Sequence, residues 1–249
     1  MSETIDILHP ERPKRIAVVA SNPAVSGQTG WSIGFWWSEL THTYWQFVQH
    51  GYRVELFSPD GGKLEADSWS DPRDASGYSA DDLISLGFIN SPTHRALVED
   101  SRPLTRLQAT HSDYDAILFV GGQGPMYTFH DDSRVHRIAA EFFGAGKITA
   151  VLCHATCLLL RAKLGDRLLV QGRTWTGFAN SEEQFADAFV NRRIQPFWIE
   201  EEARKLLDTN FVVASRFKAH AVRDGNLITG QQQFSGTAVA RLMIEALGV

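Results

Sequence analysis

Short apolar runs alternate with amphipathic segments along most of this chain. Buried strands are predicted over Arg15–Ala20, Tyr114–Val120 and Ile148–Leu152. Between them, apolar residues recur at helical spacing, as in Trp36–Val48 and Val135–Phe143. Strands that alternate with helices are typical of a mostly parallel sheet covered by helices. The pattern therefore predicts one α/β domain over the whole chain.

Weaker patterns complete this outline. We predict a strand at Arg53–Phe57, a further strand at Gly172–Phe178 and a helix over Ala155–Leu164. In the last fifth of the chain we predict a pair of strands, Phe211–Ser215 with His220–Val222, a hairpin turn at Asp224-Gly225 and a final helix with an apolar stripe from Val239 to Leu247. An amphipathic helix is predicted over Phe197–Leu207.

Residues 63–112 are polar and rich in loop-forming residues, with helical stretches predicted near Ser79–Leu86 and Pro103–His111. A long segment of this kind between two strands of a compact domain is uncommon unless it is functional. We therefore predict that 63–112 forms a cap or lid over the sheet.

The composition of the chain argues against several classes of protein. With 24 Lys and Arg against 29 Asp and Glu, the net charge is −5, and scattered basic residues argue against nucleic acid as a partner. No apolar run is long enough for a membrane span, and the acidic N-terminal segment 1–15 does not resemble a secretory signal. Two cysteines, Cys153 and Cys157, are too few for a disulfide framework, so we expect a reduced, cytoplasmic protein.

The strongest chemical signal is Cys153 with His154, directly after a predicted strand and before a predicted helix. This layout is that of a nucleophile elbow, by analogy with its serine version. The helix N-terminus is expected to stabilise a thiolate, and the His154 amide to face a developing oxyanion. A free cysteine is more often a small buried hydrophobe, and for Cys157 we favour that interpretation.

A glycine turn, Gly121-Gly122-Gln123-Gly124, follows another predicted strand. Glycines allow backbone N–H groups to turn toward an anion, so this loop is expected to supply a second oxyanion donor. Its spacing does not fit a dinucleotide fingerprint, and no cofactor is predicted. The histidines show no helical ligand spacing, so no metal site is predicted either.

Five motifs in order resemble the ThiJ/PfpI superfamily, whose fold is flavodoxin-like and similar to that of class I glutamine amidotransferases. They are GFWWSE at 34–39, VGGQG at 120–124, AVLCH at 150–154, TGFANSEE at 176–183 and DGNLITGQ at 224–231. The resemblance covers most of the chain and is nearest to the branch of heat-shock chaperones and glutathione-independent glyoxalases III. It also implies a homodimer.

The resemblance assigns roles by position. Cys153 matches the nucleophile, His154 its neighbouring histidine and Glu183 the acid that orients that histidine, with the adjacent Glu182 as the alternative. Glu39 matches a glutamate that contacts the sulfur, and we expect apolar surroundings to raise its pKa. The oxyanion hole would be formed by the Gly121–Gln123 loop, through Gly122, together with the amide of His154.

The chain also departs from its relatives. Ala155-Thr156 replaces Gly-Pro after the Cys-His pair, Gln123 replaces a common histidine, and Gln232-Gln233 replaces Asn-Pro. These substitutions leave Cys153, His154 and Glu183 in place, and we expect them to alter which substrate the protein accepts.

Three functions follow. The leading hypothesis is conversion of a small 2-oxoaldehyde, such as methylglyoxal, into a 2-hydroxy acid without glutathione. The second is an amidase, peptidase or other cysteine hydrolase or hydratase, although the late His220 lacks the Glu two residues on that class I glutaminases carry. The third is a stress chaperone or redox sensor, for which the early tryptophans, Trp31, Trp36, Trp37 and Trp45, would have to form an exposed patch; we favour packing in a core or dimer interface instead.

Overall fold

Residues 13–248 are described by a computed structural model. Most of the N-terminal segment for which we predict no secretory signal lies outside the described residues. None of the helices between residues 13 and 248 combines the length and apolar character that crossing a bilayer needs.

Seven of the strands described in this range form one central sheet. Its strands are β1 (Arg15–Val19), β4 (Arg53–Ser58), β5 (Arg102–Pro103), β6 (Ala116–Phe119), β7 (Ile148–Leu152), β12 (Ala221–Asp224) and β13 (Leu227–Gly230). They lie in the order β12-β13-β7-β6-β1-β4-β5, and every neighbouring pair is parallel except β12 with β13. The remaining strands form two-stranded pairs: β2 (Ala24–Val25) with β3 (Ser32–Ile33), β8 (Lys163–Leu164) with β9 (Arg167–Leu168), and β10 (Thr174–Trp175) with β11 (Asn210–Phe211).

Helices flank the sheet in two contacting groups. The helices are α1 (Trp37–Gln49), α2 (Leu83–Asn90), α3 (Pro92–Glu99), α4 (Leu104–Thr110), α5 (Pro125–Thr128), α6 (Ser133–Gly144), α7 (Asn180–Val190), α8 (Ile199–Ala203) and α9 (Gly236–Leu247). In one group α1 packs against α9, which also packs on β7 and β13. In the other group α4 packs against α6. Short 3-10 helices lie at Ser68–Ser70, His111–Asp113, Cys153–Leu160 and Gln233–Ser235.

The apolar runs of the sequence are the centre of the core. Every residue of β6 and β7 is buried, as are four of the five in β1. Strands covered on both faces read as continuous apolar runs, which is why these three were predictable. The predicted flavodoxin-like, mostly parallel sheet is confirmed.

The segment 63–112, which is predicted to form a cap, contributes to two parts of the structure. Its last part joins the main layers, because β5 pairs with β4 and α4 packs against α6. Leu104 and Leu107 of α4 are completely buried in the core. Only the earlier part, with Trp69 and Tyr78, reaches the pocket described below.

Two other local predictions differ from the structure. The predicted pair Phe211–Ser215 and His220–Val222 does not form, because β11 pairs with β10 while β12 pairs with β13 across the predicted Asp224-Gly225 turn. The helix predicted over Ala155–Leu164 is a 3-10 helix that begins at Cys153, and its predicted end lies in β8.

Truncation of α4 tests whether this segment belongs to the core. Leu104→Ala removes a fully buried side chain, so we expect the free energy of unfolding to fall by about 2–5 kcal/mol. The matched control is Leu83→Ala, because Leu83 lies in the same sequence segment but is 73% exposed. Denaturant unfolding of both variants measures the difference. Equal losses would contradict the placement of α4 in the core.

Candidate active site

The site lies at the carboxyl ends of the central strands, where open α/β sheets place their ligands. Cys153 directly follows β7 and has a φ of +57°, a left-handed conformation that non-glycine residues rarely adopt. Such backbone strain is concentrated at functional sites. The turn directs the side chain into a pocket, although only 2% of Cys153 is exposed. The predicted elbow geometry is therefore present.

His154 lies between Cys153 and Glu183. The Cys153 Sγ is 3.5 Å from His154 Nδ1, and His154 Nε2 is 3.1 Å from Glu183 Oε1. The Phe178 ring stacks on the imidazole with centroids 3.9 Å apart, which fixes the ring plane. Burial would lower the pKa of His154, but the Glu183 carboxylate acts against it and the pKa is raised overall.

The neighbouring Glu182 serves a different purpose. Its Oε2 accepts a hydrogen bond from the Ala179 amide, and its Oε1 accepts from the Phe217 amide and the Gln231 side chain. These bonds cap the start of α7 and tie it to the end of the sheet. Of the two acids, it is Glu183 that reaches His154.

Glu39 comes from the first turn of α1 and is completely buried. Its Oε2 accepts a hydrogen bond of 2.6 Å from the Gly121 amide, and its carboxyl lies beside the Cys153 thiol. Burial raises the pKa of Glu39 from 4.5 to about 7, although the thiol, the Gly121 amide and His154 act to lower it. The expectation of a raised pKa in apolar surroundings agrees with this environment.

The glycine turn brings the backbone close to the sulfur. A Cβ on Gly121 would lie 2.7 Å from the Cys153 Cβ and 2.8 Å from Glu39 Oε2, so no larger residue fits. Gly122 has a φ of +107°, which favours glycine. The amides of Gly122 and His154 act to lower the pKa of the Cys153 thiol. These are the two amides that are predicted to form the oxyanion hole.

The expected thiolate is not the favoured form of Cys153. Burial and the adjacent Glu39 carboxyl raise the pKa of the thiol well above its ordinary value, and the two amides only partly offset them. The helix that follows is a 3-10 helix of eight residues, not the regular α-helix that was predicted. The thiol is thus held protonated beside a base.

Sequence reasoning missed Asp67. This carboxylate is buried, and it accepts hydrogen bonds from the amides of Gly34 (3.0 Å) and Gln123 (2.6 Å). It therefore joins the loop before α1 to the glycine turn. Burial raises the pKa of Asp67 to about 7. The residue lies in an irregular stretch with no periodicity, so no sequence signal distinguished it from a solvated loop acid.

The pocket over Cys153 has a volume of about 140 Å³, comparable to an apolar cavity that binds a benzene-sized molecule. The side chain of Gln123 lines it, together with His154 and Glu183. His220, the late histidine weighed for an amidase, is not among its lining residues. Between residues 13 and 248, no group of three or more His, Cys, Asp or Glu side chains is arranged to hold a metal ion.

The early tryptophans do not form a single patch. Trp37 is buried in the core, Trp36 lines the Cys153 pocket, and Trp45 is 47% exposed on the outer face of α1. Trp31 lies against Trp69, with ring centroids 6.1 Å apart.

Fold and site together define an α/β protein with a buried cysteine at an elbow beside a carboxylic acid. The model of the DJ-1/PfpI family matches residues 34–246, so the chain belongs to this family. The chain is 23% identical to the glutathione-independent glyoxalase HSP31 of Saccharomyces cerevisiae over 240 residues, which cover 94% of this chain and 98% of that protein. Three further yeast proteins, 24–26% identical, are named probable glutathione-independent glyoxalases.

Solved structures show the same fold. Rapid Encystment Protein 24 kDa of Francisella tularensis has a TM-score of 0.83 at 23% identity, covering 95% of this chain and 100% of that one. Glyoxalase III of Candida albicans has a TM-score of 0.73 at 19% identity, covering 94% and 97%.

The buried acid gives a stability test. The pKa of Glu39 is about 7 in the folded chain and ordinarily 4.5, so folding favours the protonated carboxyl. The free energy of unfolding is therefore highest below about pH 4.5, and it falls as the pH rises through 7. Glu39→Gln stays neutral throughout, so we expect it to be more stable than the parent chain by up to roughly 3 kcal/mol at about pH 8. At about pH 4 the two should be equal. Denaturant unfolding at both pH values measures this, and a constant difference would contradict the buried charge.

Proposed function

We propose that this protein converts a 2-oxoaldehyde into a 2-hydroxy acid without glutathione. The observation that carries the proposal is the close approach of Cys153 and the Glu39 carboxyl, whose atoms both lie within 3 Å of the position that a Cβ on Gly121 would take, in a buried elbow. The relatives named as glutathione-independent glyoxalases support the same reaction class. A nucleophile, a base and an oxyanion site suffice for this chemistry, and the chain supplies the first two as side chains and the third as backbone amides.

The first step is addition of the thiol to the aldehyde carbon. A bond forms between sulfur and carbon, and the thiol proton passes through His154 to the aldehyde oxygen, which gives a hemithioacetal. The developing oxyanion accepts hydrogen bonds from the amides of Gly122 and His154. Glu183 holds the imidazole in place for this transfer.

The second step moves hydrogen between the two carbons. The Glu39 carboxylate removes the proton from the former aldehyde carbon, and His154 transfers protons between the oxygens of the resulting enediol. The proton held by Glu39 then returns to the neighbouring carbon. One carbon is thereby oxidised to a thioester while the other is reduced to an alcohol, so no external oxidant is needed. Water then cleaves the thioester, the thiol regains its proton, and a 2-hydroxy acid leaves.

The other functions remain separate hypotheses. A chaperone of this fold needs no nucleophile, so suppression of client aggregation by Cys153→Ala would favour it. Release of ammonia from glutamine or simple amides would favour an amidase. A homodimer is a prediction of the resemblance, and a cytoplasmic location is a prediction from the two cysteines.

The two cysteines allow a matched test of the nucleophile. Cys153→Ala should lower kcat/KM for methylglyoxal by at least about a thousandfold, because no covalent intermediate can form. Cys157→Ala is the control, since Cys157 is buried one turn later and donates only to the Pro125 carbonyl. Lactate formation measures both variants. Equal activity in the two would remove Cys153 from the mechanism.

The base predicts a pH profile. Because Glu39 must be ionised to remove the proton from carbon and its pKa is raised to about 7 by burial, kcat/KM should rise with pH through this value. Glu39→Gln should lower kcat/KM by about a hundredfold or more. Initial rates between about pH 6 and pH 8 measure the profile. A flat profile in the parent chain would exclude Glu39 as the base.

A further inference from the structure

The pocket over Cys153 has mainly aromatic walls. Seven aromatic side chains line it: Trp36, Trp69, Tyr78, Phe178, Phe185, Phe189 and Phe217. They come from four parts of the chain: the residue before α1, the early part of the 63–112 segment, α7 with the residues before it, and the loop between β11 and β12. Such a lining matches an apolar or aromatic group better than a small hydrated molecule.

Six of these rings form a continuous chain of contacts. Successive ring centroids are 5.3–6.5 Å apart along Trp36, Tyr78, Trp69, Phe189, Phe185 and Phe217. These distances fall within the 4.5–7 Å of favourable aromatic pairs. The rings hold one another in place, so the wall is preformed.

The outer part of this wall is exposed. Phe189 is 69% exposed, Tyr78 45% and Phe185 39%. A cluster of exposed aromatic side chains at the mouth of a pocket is more typical of a binding site than of ordinary protein surface. A substrate substituent lying on these rings would remove them from water.

Beyond Cys153, His154 and Glu183, the polar side chains that line the pocket are uncharged, and three of them are amides: Gln123, Gln195 and Gln233. No Lys or Arg among the described residues lines it. Gln195 is only 2% exposed, yet its Oε1 has no hydrogen-bond partner in the protein. This oxygen is therefore available to accept a hydrogen bond from a bound ligand.

We propose that the substrates are 2-oxoaldehydes with an aryl or similarly bulky apolar substituent, the simplest being phenylglyoxal. This inference rests on the proposed function and specifies its substrate. The aldehyde carbon reaches Cys153 as before, while the substituent lies along the aromatic chain. Methylglyoxal has only a methyl group to place there and leaves most of the aromatic chain uncovered. Gln123 and Gln233, two of the positions at which the chain departs from its relatives, belong to the same wall.

The test compares kcat/KM for phenylglyoxal and methylglyoxal, with mandelate and lactate as products. We expect phenylglyoxal to be preferred by about tenfold or more, because burial of the ring adds apolar contact. Phe189→Ala should lower this preference severalfold, because it should reduce kcat/KM for phenylglyoxal more than kcat/KM for methylglyoxal. Phe189 is largely exposed, so its truncation should leave the fold intact. The control is Trp45→Ala, which removes a 47% exposed aromatic side chain that lies outside the Cys153 pocket.

The outcomes separate the two proposals. Turnover of methylglyoxal with no preference for phenylglyoxal would overturn the substrate inference and leave the proposed function standing. A preference that Phe189→Ala and Trp45→Ala change equally would also overturn it. Failure to consume either aldehyde would overturn the proposed function, and this inference with it.

Discussion

The contact between the buried Glu39 carboxyl and the Cys153 thiol is the constraint on which the rest of the site depends. A carboxyl with no exposed surface is costly to ionise, and a thiol beside it is equally costly to ionise. The two groups therefore cannot both carry charge easily. One negative charge and one proton are held between them near neutral pH. The Glu39 carboxylate can therefore act as a base while the neighbouring Cys153 thiol keeps its proton.

The fold brings these two groups together from different layers. Cys153 follows β7, the glycine turn follows β6, and Glu39 lies in the first turn of α1. Backbone atoms must approach so closely that only glycine fits at position 121. Asp67 then anchors the glycine turn to the loop before α1. The geometry at the sulfur is thus determined by tight backbone packing and by one buried carboxylate that need not touch a substrate.

The parts of the fold that were predictable are those with local signals. The buried strands β1, β6 and β7 are continuous apolar runs, and the Cys153 elbow is a short pattern at a strand end. Asp67 was not predictable, because its importance arises from two distant amides. The role of α4 was obscured by the polar sequence around it, and burial of Leu104 and Leu107 depends on tertiary packing. The aromatic wall is likewise invisible in sequence, since its rings are brought together from separate segments of the chain.

The protonation state of the thiol tests the central claim most directly. Ultraviolet absorbance of the thiolate can be followed against pH in the parent chain and in Glu39→Gln, with Cys153→Ala as the blank. The account predicts that the parent chain forms thiolate only well above pH 9, because burial and Glu39 raise the pKa of Cys153. Glu39→Gln should form it at lower pH, since the neighbouring charge is gone. Thiolate already present in the parent chain near neutral pH, or identical curves for the two proteins, would contradict the account.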